Sequence, residues 1–240
     1  MPIYLDNAAT TPMAPEVIQT MCDLMTSTYG NPSSTHALGR AAKGVLETSR
    51  RNIAKHLNCD PKELIFTSGG TEADNLTFHI AIKDLKIERI ISTAIEHHAV
   101  ELTAEKLAAE HQIELIHLQV DAQGAIDHNE LNKILSDSKK TLVSLMHANN
   151  EIGTKIDLKA IGHICKLHGA YFHSDTVQTM GHYAFDLKNT PIDFLTCAGH
   201  KFHGPKGIGF LYIRKGVKIR SFVHGVAQER KRRAGTENVP

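Results

Sequence analysis

The sequence lacks the signatures of several large classes of protein. Its four cysteines are widely spaced and form no Cys-x-x-Cys pair, and it contains no secretory signal and no apolar run near the roughly 18 residues that cross a membrane. These absences predict a cytoplasmic protein with reduced thiols and no membrane partner. The 27 Lys and Arg residues nearly balance the 26 Asp and Glu residues, so the net charge of +1 does not favour a nucleic-acid partner.

Common metal and nucleotide motifs are also missing. The 16 histidines include the pairs 97/98, 163/168 and 200/203, but neither a His-Glu-x-x-His motif nor a matching set of ligands accompanies them. The glycine-rich segment 68–71 is neither a Walker loop nor the Gly-x-Gly-x-x-Gly pattern of dinucleotide sites. We therefore predict no metal centre.

Helical and extended patterns alternate from about residue 37 onward. Helical patterns occur at 37–57, 72–85, 99–110, 129–135 and 158–168, and strand-like runs at 63–67, 89–93, 113–120, 141–146, 170–173, 192–196 and 208–213. This alternation predicts an α/β fold whose mostly parallel sheet is covered by helices. With 240 residues, 41% hydrophobic content and no linker or repeat, the chain is expected to form one large domain.

Binding sites in such folds gather where the strands end in their carboxyl direction. Five segments follow predicted strands in this way and are expected to meet in one pocket: 68–71, 96–98, 147–151, 175–178 and 199–201.

Lys201 and Asp175 are the most informative members of this set. Lys201 follows an apolar strand beside His200, where a partly desolvated amine can lose its proton and attack a carbonyl group. Asp175 ends another strand-like run. A lysine for the aldehyde and an aspartate for the ring nitrogen are the two anchors that pyridoxal 5'-phosphate (PLP) requires. Taken alone, each residue also fits an ordinary role, as a loop lysine or as an aspartate that caps a helix.

The other segments supply groups that suit the rest of such a cofactor. Residues 68–71 (SGGT) lie between a strand and a helix, where free N–H groups attract an anion, although a plain helix cap looks similar. An imidazole such as His97 can stack on a ring and relay protons. The amide of Asn150, in a turn-like segment, can reach a ring hydroxyl. Asp175 and Gln178 share a face if a helix begins there.

Ordered motifs along nearly the whole chain resemble the cysteine desulfurase (NifS-like) family, within the class V aminotransferase group of fold-type I PLP enzymes. These motifs are YLDNAATTP (4–12), YGNPSSTH (29–36), TSGGTEADN (67–75), EHHAV (96–100), NNEIG (149–153), HSDTVQ (173–178), GHKFHGPKG (199–207) and RAGTENV (233–239). The resemblance implies the three-layer PLP-binding large domain of that fold. It also implies an L-cysteine substrate, alanine as product, and transfer of the sulfur to an acceptor protein such as an iron–sulfur scaffold.

The resemblance further implies a role for each residue that matches the family pattern. Lys201 is expected to hold the cofactor covalently and to move the substrate proton, and Asp175 to stay ionised beside the ring nitrogen. His97 is expected to stack on the ring and assist proton transfer. Asn150 and Gln178 are expected to donate hydrogen bonds to the phenolic oxygen of the ring.

The phosphate group of the cofactor is expected to bind Gly70, Thr71 and His200. One departure from the family pattern lies here, because the family has a serine three residues before the lysine and this sequence has Ala198. Losing one donor to a charged phosphate costs about 1.5–3 kcal/mol unless another group, such as Thr196 or a water molecule, replaces it.

The resemblance also predicts domain boundaries and a homodimer. Residues 1–15 would form an N-terminal segment and 16–240 the large domain, while Thr236 would reach the phosphate of the neighbouring subunit. The family's nucleophilic cysteine and its carboxylate-binding arginine follow the Gly-Thr-Glu-Asn motif, and this sequence ends at Pro240. We therefore expect the small C-terminal domain to be absent from this chain. Cys197 is not expected to replace that nucleophile, because it should point away from the pocket.

Two other functions fit the same residues. A selenocysteine lyase, or another class V lyase or aminotransferase, would use the same lysine, aspartate and histidine. A truncated, catalytically silent partner of a longer homologue would keep the fold and lack the activity.

Overall fold

The computed structural model describes residues 3–225 and 228–240. Its centre is a seven-stranded sheet with the spatial order β1-β7-β6-β5-β4-β2-β3. The strands are β1 (Leu64–Thr67), β2 (Arg89–Thr93), β3 (Glu114–Leu118), β4 (Thr141–Ser144), β5 (Tyr171–Asp175), β6 (Phe194–Ala198) and β7 (Gly209–Ile213).

In the described part of the chain, six α-helices accompany the sheet. They are α1 (Pro15–Ser27), α2 (Ala37–Leu57), α3 (Gly70–Lys83), α4 (His98–His111), α5 (His128–Leu135) and α6 (Leu158–Leu167). Apolar side chains of α2, α5 and α6 form one core with one face of the sheet, and those of α3 and α4 form a second core with the other face. Successive side chains of a strand point to opposite faces, so Val143 and Leu142 belong to different cores. The result is the three-layer α/β arrangement that the sequence predicts.

The order and direction of the strands place the candidate loops together. Strands β3, β2, β4, β5 and β6 are parallel neighbours, whereas β7 runs antiparallel to β6 and β1 antiparallel to β7. Consequently β1 has the same direction as β6, and the loops that follow β1, β2, β4, β5 and β6 leave the sheet at one edge. The prediction of a mostly parallel sheet is confirmed.

Most predicted elements are present, with shifted ends. The bounds of α2 and β2 match the predicted ranges, while α3 begins at Gly70 rather than at residue 72. No helix begins at Asp175; a turn follows it, because the Asp175 carboxylate accepts a hydrogen bond from the Val177 N–H at 2.8 Å. The sequence patterns do not predict α1, none of whose side chains is buried.

Within the described residues, no helix is long and apolar enough to span a membrane.

Candidate cofactor site

Asp175, Lys201 and His97 lie close together at the carboxyl edge of the sheet. Burial and the charge of Asp74 raise the pKa of Asp175 to about 7, against the opposing effects of the Val177 N–H, His173 and His97. Burial lowers the pKa of the Lys201 amine, against the opposing charges of Asp175 and Asp6. This is the environment in which a lysine amine loses its proton easily and in which a buried carboxyl group needs a nearby cation to ionise.

A cavity of about 420 Å³ lies at the N-terminus of α3, between that helix and the lysine loop. Its lining includes Gly70, Thr71, His200 and the exposed Lys206. Gly69 precedes the helix with φ of 151°, a conformation that glycine adopts without strain. Free N–H groups at a helix start, together with a lysine side chain, suit an anion such as a phosphate ester.

Neither Ala198 nor Thr196, the two β6 residues nearest to Gly70, offers a free hydroxyl group to a phosphate in this cavity. A Cβ atom added to Gly70 would lie 3.7 Å from the Ala198 methyl group, so Ala198 faces the start of α3 without offering a hydroxyl. The Thr196 hydroxyl is fully buried and hydrogen-bonded to His173 Nε2 at 3.1 Å. Thr196 therefore does not supply the missing donor, and the exposed Lys206 is the cationic group that lines the cavity there.

The N-terminal segment lies across the lysine loop. Lys201 Nζ donates a hydrogen bond to the Ala8 carbonyl oxygen, and Gln178 Nε2 donates to the same oxygen at 2.9 Å. Three residues further on, the Thr11 backbone N–H and hydroxyl both donate to the His200 carbonyl oxygen, at 2.8 and 3.0 Å. These contacts hold Gln178 and Lys201 on one side of the site.

The other predicted site residues, His97, Asn150 and Thr236, make no side-chain hydrogen bond to the lysine loop among the described contacts. His97 is exposed and caps α4, with Nδ1 accepting a hydrogen bond from the Ala99 N–H at 3.1 Å, so its ring is available for stacking. Asn150 is half-buried and donates a hydrogen bond to Glu151 at 2.6 Å. Thr236 is exposed and is not one of the residues that line the cavity.

Sequence patterns did not single out three buried polar side chains beneath Asp175. They are Asp74 on α3, Glu96 before α4, and His173 two residues before Asp175 on the same strand. Burial raises the pKa of Asp74 to about 7 and that of Glu96 well above its usual value, while it lowers the pKa of His173 to about 4. The sequence does contain one indication of the two acids: Asp74 lies in TEADN and Glu96 in EHHAV, two motifs on which the family resemblance rests.

The cysteines lie apart from this site. Cys197 belongs to the apolar core on the face of the sheet opposite Asp175, and burial raises its pKa well above the usual value. Its side chain therefore points away from the pocket, as the strand alternation predicts. Among the described residues, no group of three or more His, Cys, Asp or Glu side chains is arranged to hold a metal ion.

The residues at this edge fit PLP. Asp74, Glu96 and Asp175 are three buried carboxyl groups: the charge of Asp74 raises the pKa of Asp175, and the charges of Asp175 and Asp74 raise that of Glu96. Asp74 Oδ1 and Glu96 Oε2 have no hydrogen-bond partner among the described residues. Such a group of acids favours a cationic ring nitrogen beside it. The cavity at α3 suits the phosphate group, and Lys201 directly follows His200, which lines that cavity.

The three-layer α/β fold, with an aspartate ending β5 and a lysine following β6, defines the class of fold-type I PLP enzymes. The sequence pattern of the family described as Aminotransferase class-V matches residues 3–240, and the chain belongs to that family.

Curated relatives and solved structures agree with this assignment. The chain is 47% identical over 241 residues to "Cysteine desulfurase IscS" of Methanosarcina thermophila and 46% identical over 241 residues to "Putative cysteine desulfurase IscS 1" of Bacillus subtilis. These alignments cover 99% of this chain and 59% and 63% of the relatives. The chain thus spans about three fifths of their length. The predicted resemblance to cysteine desulfurases is confirmed.

Two solved structures share the fold along the whole chain. One is named "NIFS-LIKE PROTEIN", with a TM-score of 0.94 and 39% identity, and the alignment covers 100% of this chain and 66% of that one. The other, "SspA in complex with cysteine", has a TM-score of 0.93 and 32% identity, and the alignment covers 99% and 69% of the two chains.

Proposed function

We propose that this chain is the cofactor-binding part of a PLP-dependent cysteine desulfurase, which converts L-cysteine to L-alanine and passes the sulfur to an acceptor protein. The observation that carries this proposal is the juxtaposition of Lys201, whose amine has a lowered pKa, with the buried Asp175 at one edge of the sheet. The names of relatives that are 47% and 46% identical support the choice of reaction.

Bound PLP supplies an electron-withdrawing ring that makes the α-proton of an amino acid acidic. Asp175 would hold the ring nitrogen in its charged form, and the exposed His97 ring would cover one face of the cofactor. The amine of Lys201, once deprotonated, accepts the α-proton of the substrate, because burial favours its neutral form. Asn150 and Gln178 would donate hydrogen bonds to the phenolic oxygen of the ring.

The first turn of α3 would bind the cofactor phosphate through Gly70 and Thr71, assisted by His200. Burial, followed by the charges of Lys201 and Lys206, lowers the pKa of His200, so a neutral imidazole would face the phosphate there. Lys206, which lines the same cavity, would provide the compensating positive charge. Thr236 would contribute from a neighbouring subunit.

The sulfur-transfer step requires a thiolate that reaches the substrate sulfur. Cys165 and Cys197 are buried in the apolar core, and burial raises the pKa of both thiols. Burial also raises the pKa of Cys59 to about 12. Cys22 is exposed on α1 and does not line the cavity. We therefore propose that these 240 residues bind PLP but release no sulfide from cysteine without a thiol from elsewhere.

A homodimer and a cytoplasmic location complete the proposal. Large apolar side chains of the N-terminal segment are exposed, with Ile3 at 84% and Leu5 at 86%, and α1 has no buried side chain, so this side of the molecule suits a second copy. The four thiols are unpaired, which suits a reducing compartment. The molar mass in solution, measured by light scattering, tests the dimer.

The test of the proposed function is covalent trapping of PLP. Borohydride reduction of the PLP-loaded protein, followed by peptide mass mapping, should label the peptide that contains Lys201. The variant Lys201→Ala should lose the label and the visible absorbance of the bound cofactor. The matched control is Lys166→Ala, which removes an exposed lysine from α6 and should leave both signals unchanged. A wild-type protein that folds and carries no label at Lys201 would overturn the proposal.

A further inference from the structure

Asp74 is a buried acid that the proposed chemistry does not use. It lies one turn after Gly70 on α3, and its side chain is 1% exposed. Its Oδ1 atom lies 3.5 Å from His173 Nε2 and has no hydrogen-bond partner among the described residues. An ionised carboxylate in this position, without a cation of its own, would carry a large desolvation cost.

Buried polar side chains connect Asp74 to the centre of the sheet. The Thr196 hydroxyl interacts with the Asp74 carboxyl and lies 3.1 Å from His173 Nε2. On the other side of the imidazole, Nδ1 lies 2.8 Å from the Ser144 hydroxyl. All of these side chains are fully or almost fully buried.

The donor and acceptor roles among these side chains have two possible arrangements, and the charge of Asp74 selects between them. Burial lowers the pKa of His173 to about 4, so its ring is neutral and carries one N–H hydrogen near neutral pH. If Asp74 is ionised, it accepts a hydrogen bond from the Thr196 hydroxyl, whose oxygen then accepts from His173 Nε2–H. If Asp74 is protonated it donates to Thr196, and the ring hydrogen moves to Nδ1 and faces Ser144.

Asp74 and Asp175 are close enough for each to oppose ionisation of the other, because the Asp74 charge raises the pKa of Asp175. The groups that face Asp175 favour its ionised form: Lys201, His97 and the Val177 N–H, which donates to its Oδ1 at 2.8 Å. Among the described residues, the Thr196 hydroxyl and the neutral imidazole of His173 lie next to Asp74, and neither carries a positive charge. The charge of Asp74 also raises the pKa of the third acid, Glu96. The negative charge is therefore better placed on Asp175 and the proton on Asp74.

We propose that Asp74 is a positioning residue for Asp175: it retains a proton, bound through Thr196 to His173, so that the negative charge of the site stays on Asp175. The inference rests on the proposed function, since the charge on Asp175 serves a cationic cofactor ring. It assigns Asp74 a neutral form at the pH at which the site works.

The direct test is an NMR titration of the PLP-free protein with ¹⁵N-labelled histidine. In the wild type, the His173 ring should stay neutral and move its hydrogen from Nδ1 to Nε2 as Asp74 ionises with rising pH. In Asp74→Asn this step should vanish. Thr196→Val, which keeps Asp74 and removes the connecting hydroxyl, should also abolish it and serves if Asp74→Asn does not fold. A wild-type ring that carries its hydrogen on Nε2 across the whole range, or a step that persists in Asp74→Asn, would overturn the proposal.

The second readout is PLP affinity at pH 7, measured by fluorescence. An asparagine mimics a protonated Asp74, so Asp74→Asn should bind PLP within about 3-fold of the wild type, whereas Asp175→Asn should weaken binding at least 10-fold. A loss of 10-fold or more in Asp74→Asn would mean that the ionised form is needed, and it would refute the inference. If the wild type does not bind PLP, the proposed function fails, and the tautomer titration still tests the link between Asp74 and His173.

Discussion

Two buried groups of charged side chains differ in how they are satisfied. Arg50 and Glu229, each with a side chain 1% exposed, form two parallel hydrogen bonds of 2.9 Å, and Arg50 also donates to the Leu64 carbonyl oxygen at 2.8 Å. By contrast, the acids Asp74, Glu96 and Asp175 are buried together, and burial raises the pKa of each. The charges of the first group are paired, whereas the second group contains three buried acids and is paired with no buried arginine or lysine among the described residues.

This difference separates a structural role from a functional one. A fully paired buried ion pair fixes one segment onto another, and here it joins α2 to the segment that carries the RAGTENV motif. A buried cluster of like charges destabilises the fold and is retained where a ligand needs it. The candidate site is therefore distinguished by its excess of buried acidic groups, and not by burial alone.

Among the tests of this comparison, the largest change in the free energy of unfolding is expected at the Arg50–Glu229 ion pair. Arg50→Ala leaves Glu229 buried without its partner and should lower the free energy of unfolding by about 3–5 kcal/mol. Urea denaturation followed by circular dichroism measures this change. The double variant Arg50→Met, Glu229→Leu should recover most of the loss, because it removes both buried charges. Equal losses in the single and double variants would contradict the role assigned to the pair.

A smaller effect, dependent on pH, is expected at Glu96. Burial raises the pKa of Glu96 above its unfolded value, so its favourable contribution is present at low pH and is lost as the pH rises towards the folded pKa. Glu96→Gln keeps an oxygen that can accept from the Met146 N–H, as Glu96 Oε1 does at 2.8 Å, and removes the titrating group. Relative to the wild type, this variant should gain stability between pH 5 and pH 8, by about 1.4 kcal/mol for each unit by which the pKa is raised.

Urea denaturation at both pH values measures the Glu96 effect. Phe172→Leu, a change in the apolar core on the opposite face, is the control: its stability difference from the wild type should be the same at both pH values. A Glu96→Gln difference that is also independent of pH would show that Glu96 is not a raised-pKa acid.

The smallest effect is expected at a surface ion pair. Lys139 Nζ lies 2.7 Å from Glu114 Oε2, but the two side chains are 37% and 43% exposed. Solvent screens such a pair, so Lys139→Ala should change the free energy of unfolding by less than about 1 kcal/mol. A loss as large as that of Arg50→Ala would show that exposure does not distinguish the two pairs.

The elements of the fold were predictable because their apolar patterns are strong and local. The bounds of α2 and β2 follow from repeating apolar residues, and the alternation of elements predicts a parallel sheet. Helix α1 was missed because none of its side chains is buried in this chain, so no core selects its apolar face.

The candidate site was predictable in part. Asp175 ends a strand and Lys201 closely follows one, and both stand out because their side-chain chemistry has few uses at such positions. Asp74 and Glu96 gave no comparable signal, because an acid in a helix or a loop is usually exposed to solvent. Their burial became apparent only when α3 and the loop before α4 were packed against the sheet.

By itself, the sequence determined the order of helices and strands, the family, and the loops in which a cofactor would be bound. These follow from local periodicity and from short motifs, which need no knowledge of distant contacts. Only the tertiary structure decided which carboxyl groups lie together and that the Thr196 hydroxyl is hydrogen-bonded to His173. Charge interactions depend on distance and on the exclusion of water, and both are fixed by how distant segments pack.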